Sequence, residues 1–248
     1  QAHQATGHEA YAAVARDILD YVLRDMTDPA GGFYAAEDAD SEGREGVFYV
    51  WEPEEIQTLL GTDSAELFAA AYGVTKGGNF EEGKSILHVA RTADALTGQF
   101  DRSVQEIEAA LDRARRRLFE HRNTRPRPHR DDKILTGWNG LMISAMASGG
   151  AVLDHAPYIE AAENAATFVL EKLRVDGRLR RYFRAGRAVE KAYLDDYAFL
   201  ILGFVDLYEA SFDAKWLRDA QDLAEQMSRL FADEADGRFF LAGHDAER

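Results

Sequence analysis

Three stretches of this chain repeat one plan: an amphipathic helix, a tight turn and a short aromatic extended segment. Tyr11, Tyr158 and Trp216 each open such a stretch, and a small residue falls four places later, at Ala15, Ala162 and Ala220. Turns follow at Gly31-Gly32, Asp176-Gly177 and Asp236-Gly237, and after them come Phe33-Tyr34, Tyr182-Phe183 and Phe239-Phe240. A unit of this kind cannot cover its own apolar face and must stack on its neighbours. The expected fold is therefore mainly α: an α/α-hairpin toroid, (α/α)6-like and incomplete at this length, with short β-hairpins in its loops. The chain is read as one such domain over residues 1–248, cut from a longer protein.

Hydrophobic spacing places the elements. Steps of three and four put Tyr11, Val14, Ala15, Ile18, Leu19, Val22 and Met26 on one stripe, predicting a helix over 8–26 that stops at Thr27-Asp28-Pro29. Residues 33–36 and 46–51 (the latter Gly-Val-Phe-Tyr-Val-Trp) read as the strands of a β-hairpin around a polar loop. Pro53 with Glu54 and Glu55 marks a helix start, giving short helices over 53–60 and 64–72. Residues 75–85 read as loop and Ile86 to Val89 as a short strand. Further helices are expected over 103–121, 137–154, 157–174, 193–212 and 214–231. The more apolar ones, 137–154 and 193–212, belong to an inner ring, and those over 8–26, 157–174 and 214–231 to an outer ring.

Charge and composition exclude several function classes. The net charge of −15 repels a phosphate backbone and an anionic membrane surface, so neither a nucleic-acid nor a membrane partner is expected. With no cysteine, this segment has no disulfide, thiolate metal site or cysteine nucleophile, which fits a reducing, cytoplasmic setting. No apolar run approaches the ~20 residues of a membrane span. Gln1 opens the chain without a methionine or a signal-peptide pattern, as a segment of a longer chain would. No histidine pair has metal-ligand spacing, and no cofactor is expected.

Five strings in fixed order carry a resemblance: Gly-Gly-Phe-Tyr-Ala-Ala-Glu-Asp-Ala-Asp-Ser-Glu-Gly (31–43), Val-Phe-Tyr-Val-Trp (47–51), Gly-Asn-Phe-Glu-Glu-Gly-Lys-Ser-Ile-Leu-His (78–88), Asp-Asp-Lys-Ile-Leu-Thr-Gly-Trp-Asn-Gly-Leu-Met (131–142) and Tyr-Leu-Asp-Asp-Tyr-Ala-Phe-Leu (193–200). Together they resemble the YyaL-type thioredoxin domain-containing family, which includes the spermatogenesis-associated thioredoxin-like proteins. The resemblance implies an N-terminal thioredoxin-like domain in the parent chain. It also implies a toroid similar to the N-acylglucosamine 2-epimerase and six-hairpin glycosidase folds, hence a carbohydrate-type site. Gly137 stands where the family commonly has serine.

Three clusters could carry chemistry. Glu37 and Asp38 open an acidic loop whose paired carboxylates could share general acid and base roles on a glycoside, or simply face water. Asp132 precedes Trp138 and Asn139, where an inner helix begins: the indole suits a sugar face and the amide both donates and accepts. Asp196 and Tyr197 open the next inner helix, where one of Asp195 and Asp196 could cap it while the other faces the ring centre. His88 is the base an epimerase would need. The reading is a sugar-active or sugar-binding toroid with Asp132, Asp196 and Glu37 catalytic, and Asp38, Trp138, Asn139, Tyr197 and His88 binding a small carbohydrate. The alternative is a non-catalytic scaffold serving the thioredoxin-like domain.

Overall fold

The structure is a computed structural model and describes residues 1–233 and 235–246. In chain order come α1 (Ala2–Thr6), α2 (Glu9–Asp25), β1 (Ala36–Glu37), β2 (Asp40–Ser41), β3 (Arg44–Glu45), α3 (Pro53–Leu60), α4 (Thr62–Tyr72) and a 3-10 turn (Glu81–Gly83). Then follow α5 (Ala93–Phe100), α6 (Val104–Arg122), β4 (Arg130–Asp131), β5 (Ile134–Leu135), α7 (Thr136–Val152) and α8 (Ala156–Phe168). A π turn (Val169–Leu173), β6 (Arg174–Val175), β7 (Arg178–Arg184), β8 (Arg187–Lys191), α9 (Leu194–Ser211) and α10 (Ala214–Phe231) complete it. The chain is mainly α with small sheets, as the spacing predicts. It divides into two compact units, one of residues 1–36 and 130–248, the other of residues 37–129.

The first unit is centred on α7 and α9. Gly137 lies beside Asp196, Gly140 beside Leu200, and Ser144 bonds Asp206, so positions advance together and the two helices run parallel. Their backbones touch because glycine sits on both sides, at Gly140 and Gly203. Asp154 and Phe212, both at positive φ, reverse the chain after each, and α8 and α10 pack back antiparallel. This is the α/α hairpin plan, with the more apolar helices paired at the centre. Tyr158, Tyr197, Phe204, Leu207 and Leu223 are buried in the shared core, each contributing about 2 kcal/mol relative to exposure. The repeated turn also recurs: Thr27 bridges Phe33, Val175 pairs with Arg178, and Ala232 bridges Phe239.

Two expectations need correction in this unit. The α2 stripe is split: Leu19, Val22 and Met26 are buried, whereas Tyr11, Val14 and Ile18 face outward. Leu19 fits against Gly149, so α2 meets α7 along one edge only, and the outward residues line an open groove of about 930 Å³ with Leu141. The extended segment expected at Tyr182-Phe183 is longer than the spacing shows: it is β7, which pairs with β8 in a hairpin. Ala185 and Gly186 both have positive φ, the primed two-residue turn that matches strand twist.

In the second unit, α3, α4, α5 and α6 surround Ile56, Leu67, Phe68, Leu96 and Ile107. The Ser103 and Glu106 side chains form a capping box that starts α6. The strand expected over 46–51 is instead a turn, with Phe48, Val50 and Trp51 buried. Arg125 explains why: it donates to the Phe48 and Val50 carbonyls, lies 4.1 Å over the Trp51 ring and pairs with Glu55. The carbonyls a partner strand would bond are thus taken by a guanidinium. Residues 86–89 form no strand; only Trp51 and Ser85 make a bridge. The acidic loop itself forms the hairpin, β2 against β3, turning on Glu42 and Gly43 at positive φ. No helix among the described residues is long and apolar enough to cross a membrane.

Candidate functional site

The N-terminal ends of α7 and α9 lie side by side, and Asp196 joins them. One carboxylate oxygen accepts from the Gly137 N–H at 3.0 Å and the other from the Tyr193 N–H at 2.9 Å. These are two of the unpaired N–H groups that every helix start presents. A Cβ at position 137 would come within 3.0 Å of the Asp196 carboxylate, so glycine leaves that approach open. Burial raises the Asp196 carboxyl above its ordinary value, against the N–H bonds, which favour the charged form. The native state therefore binds more protons than the unfolded chain from the ordinary aspartate value of 3.8 upward. Stability falls with rising pH through that window. Asp196→Asn should remove this component, so that denaturation midpoints at pH 4 and pH 6.5 lie closer together than in the parent. Parallel profiles would show that another group titrates.

Around this joint lie exposed and half-buried groups of mixed chemistry. Trp138 stands in the first turn of α7, and the Phe199 ring rests against Gly137. Arg181 comes down from β7, its guanidinium 4.6 Å from the Tyr193 ring centre and 3.9 Å from Asp196. Asp195 is exposed and accepts from the Asp196 N–H at 3.0 Å. Asp132 is exposed and takes the Arg184 Nε–H at 2.7 Å.

Two nominated residues lie inside the protein. Asn139 is buried: its Oδ1 accepts from the Phe33 N–H at 2.8 Å, and its Nδ2 donates to the Phe33 and Leu135 carbonyls, each at 2.9 Å. Tyr197 is fully buried, and its hydroxyl accepts from the Leu179 N–H at 3.2 Å and from Arg178 at 3.0 Å. Both hold backbone in place and present no surface to a ligand, so a direct binding contact for either is withdrawn.

Glu37, Asp38 and His88 belong to the second unit. Glu37 accepts from the Tyr49 hydroxyl at 3.1 Å; burial, then the Glu37 charge, raises the Tyr49 hydroxyl above its ordinary value. Asp38 accepts from the Asp40 N–H at 3.2 Å, an ordinary turn contact. His88 is exposed, packs on Gly73 and lies 3.4 Å from Asn79.

The sequence reading missed Arg181, Arg184 and Phe199. The signal was present as a run of arginines, Arg178 to Arg187, in an acidic chain. Strand alternation then divides that run between two faces.

The chain is homologous to proteins named spermatogenesis-associated protein 20. The human protein is 37% identical over 276 aligned residues, covering 98% of this chain and 35% of that protein. The mouse protein is 36% identical with the same coverage. An uncharacterised Caenorhabditis elegans protein is 34% identical, covering 87% of this chain and 34% of its own length. The chain thus spans about a third of the length of these curated relatives. No protein-family model matches it. Among solved structures, a sugar epimerase from a ruminal bacterium aligns over 99% of this chain and 78% of its own, at 15% identity and a TM-score of 0.41. A D-mannose isomerase aligns with the same coverage, at 14% identity and a TM-score of 0.42.

Proposed function

We propose, from the premise of that homology, that the surface around the starts of α7 and α9 is a sugar-binding mouth of a larger protein. The observation that supports it is Trp138. It is 56% exposed, whereas the other two tryptophans, Trp51 and Trp216, are 3% and 4% exposed. A flat indole left in water suits the C–H face of a sugar, and a second exposed ring, Phe199, rests on the same helix start at Gly137. Asp132, Asp195 and Arg181 supply the polar groups that would fix hydroxyls.

Binding is better supported than turnover. A glycosidase needs one acid held protonated and a second about 5–10 Å away. Asp196 has the raised carboxyl, but both of its oxygens already hold backbone N–H groups. That commitment favours a mouth that holds its ligand without reaction. Such a mouth would serve the thioredoxin-like domain implied by the sequence resemblance.

The test uses the same tryptophan. With the other two tryptophans buried, Trp138 should dominate any fluorescence response to ligand. Titration with glucose, mannose and cellobiose should give a saturable change that Trp138→Ala abolishes while helical circular dichroism is retained. A flat response to all three at tens of millimolar would sink the reading.

A further inference from the structure

Residues 171–191 hold eight of the 29 lysines and arginines, against three acids, in a chain of net charge −15. The β7–β8 hairpin sorts many of them by face. Leu179 is fully buried, Phe183 meets Phe168 edge-on at 5.3 Å, and Ala188 packs on the same core. The opposite face carries Arg180 across from Lys191, Tyr182 across from Val189, and Arg184 across from Arg187. Two of these three rungs set like charges directly opposite, which weakens a hairpin unless something neutralises them.

Two acids offset part of this charge. Asp132 pairs with Arg184 at 2.7 Å, through Nε, and Asp245 pairs with Lys191 at 3.3 Å. Arg180 and Arg187 have no ion pair among the described residues. The Arg184 and Arg187 rung closes the primed turn, so their Cβ atoms lie about 5 Å apart. Tyr182 is one rung on, about 7 Å along the strand. Its register partner on the other side is Leu135, directly before α7. The Thr136 hydroxyl donates to the Arg180 carbonyl at 2.6 Å, tying the hairpin to the start of that helix.

We propose that this face binds the phosphate of a phosphorylated sugar, held by Arg187 and the free nitrogens of Arg184, with the sugar ring over Tyr182. A phosphate dianion suits the surplus better than a carboxylate does. It offers three acceptor oxygens to two guanidinium forks and offsets two charges. The proposal rests on the sugar-binding reading of the Trp138 surface and goes beyond it, assigning a separate site for a phosphorylated sugar.

Calorimetric titration of the 248-residue chain at low salt tests it, with glucose 6-phosphate, glucose, glucuronate and inorganic phosphate as probes. Glucose 6-phosphate should bind at least about tenfold more tightly than glucose or glucuronate. Arg187→Gln, at a solvent-facing position, should weaken glucose 6-phosphate about tenfold and leave glucose unchanged. Tyr182→Ala should weaken glucose 6-phosphate and leave inorganic phosphate unchanged. Glucose 6-phosphate binding no more tightly than glucose, or insensitive to Arg187→Gln, overturns the phosphate site while leaving the sugar mouth standing. Glucuronate binding as tightly as glucose 6-phosphate overturns the choice of phosphate. Equal, Arg187-dependent binding of inorganic phosphate and glucose 6-phosphate overturns the sugar ring on Tyr182.

Discussion

Gly140→Ala should lower stability by about 3 kcal/mol. A Cβ at that position would lie 2.5 Å from the Leu200 nitrogen and from the Phe199 carbonyl carbon and oxygen. These are backbone atoms of α9, so no rotamer change relieves the clash; the helix itself must move. From the other side, a Cβ at Gly203 would reach the Gly140 oxygen at 2.4 Å. Alanine gains about 1 kcal/mol of helix propensity over glycine, so the expected loss is net of that gain. Gly149→Ala is the control. Its new methyl meets only the Leu19 side-chain end, at 2.5 Å, which can rotate away. Urea denaturation of the two variants should separate them clearly. If Gly140→Ala is as stable as Gly149→Ala, close backbone contact is not what sets the α7–α9 spacing.

Asn139→Ala should cost about 3 kcal/mol for a different reason. The side chain imitates a strand: it pairs with both the N–H and the carbonyl of Phe33 and adds a bond to Leu135. Phe33 is buried, so truncation leaves polar backbone groups where water does not reach. The loss should be local as well as global. Amide exchange at Phe33 should accelerate far more than exchange at Leu200 in the α7–α9 core. Asn139→Asp keeps the acceptor for the Phe33 N–H but faces two carbonyl oxygens with a carboxylate, so it should be at least as damaging. Uniform acceleration of exchange at both positions would mean that Asn139 does not clip the Phe33 turn.

The two predictions separate what was legible in the residues from what was not. The glycine in Trp-Asn-Gly at 138–140 is visible in the sequence, but its purpose appears only when Gly203 comes alongside. The Asn139 and Tyr197 motifs were noticed and given the wrong kind of work. A polar residue near a helix start reads the same whether it faces a ligand or a buried loop, because the partner is more than a hundred residues away for Asn139. Trp138, its neighbour, differs from both: its ring is exposed, as a surface offered to a ligand must be.

Local periodicity determined the helices over 9–25, 53–60, 104–122, 194–211 and 214–231 to within a residue or so, because three-and-four spacing and caps act within one turn. The repeated unit with its glycine turn was likewise present in the residues alone. Tertiary structure decided the rest, where competition between distant groups matters. Arg125 took the carbonyls of an aromatic run that otherwise reads as a strand. Packing chose which half of the α2 stripe is covered. Strand register put Arg181 on the face of Leu179 and Phe183 and Arg180 and Arg184 on the opposite face, and set Asp132 beside Arg184. A side chain's neighbours along the chain fix its local conformation, but its role depends on what long-range packing brings against it.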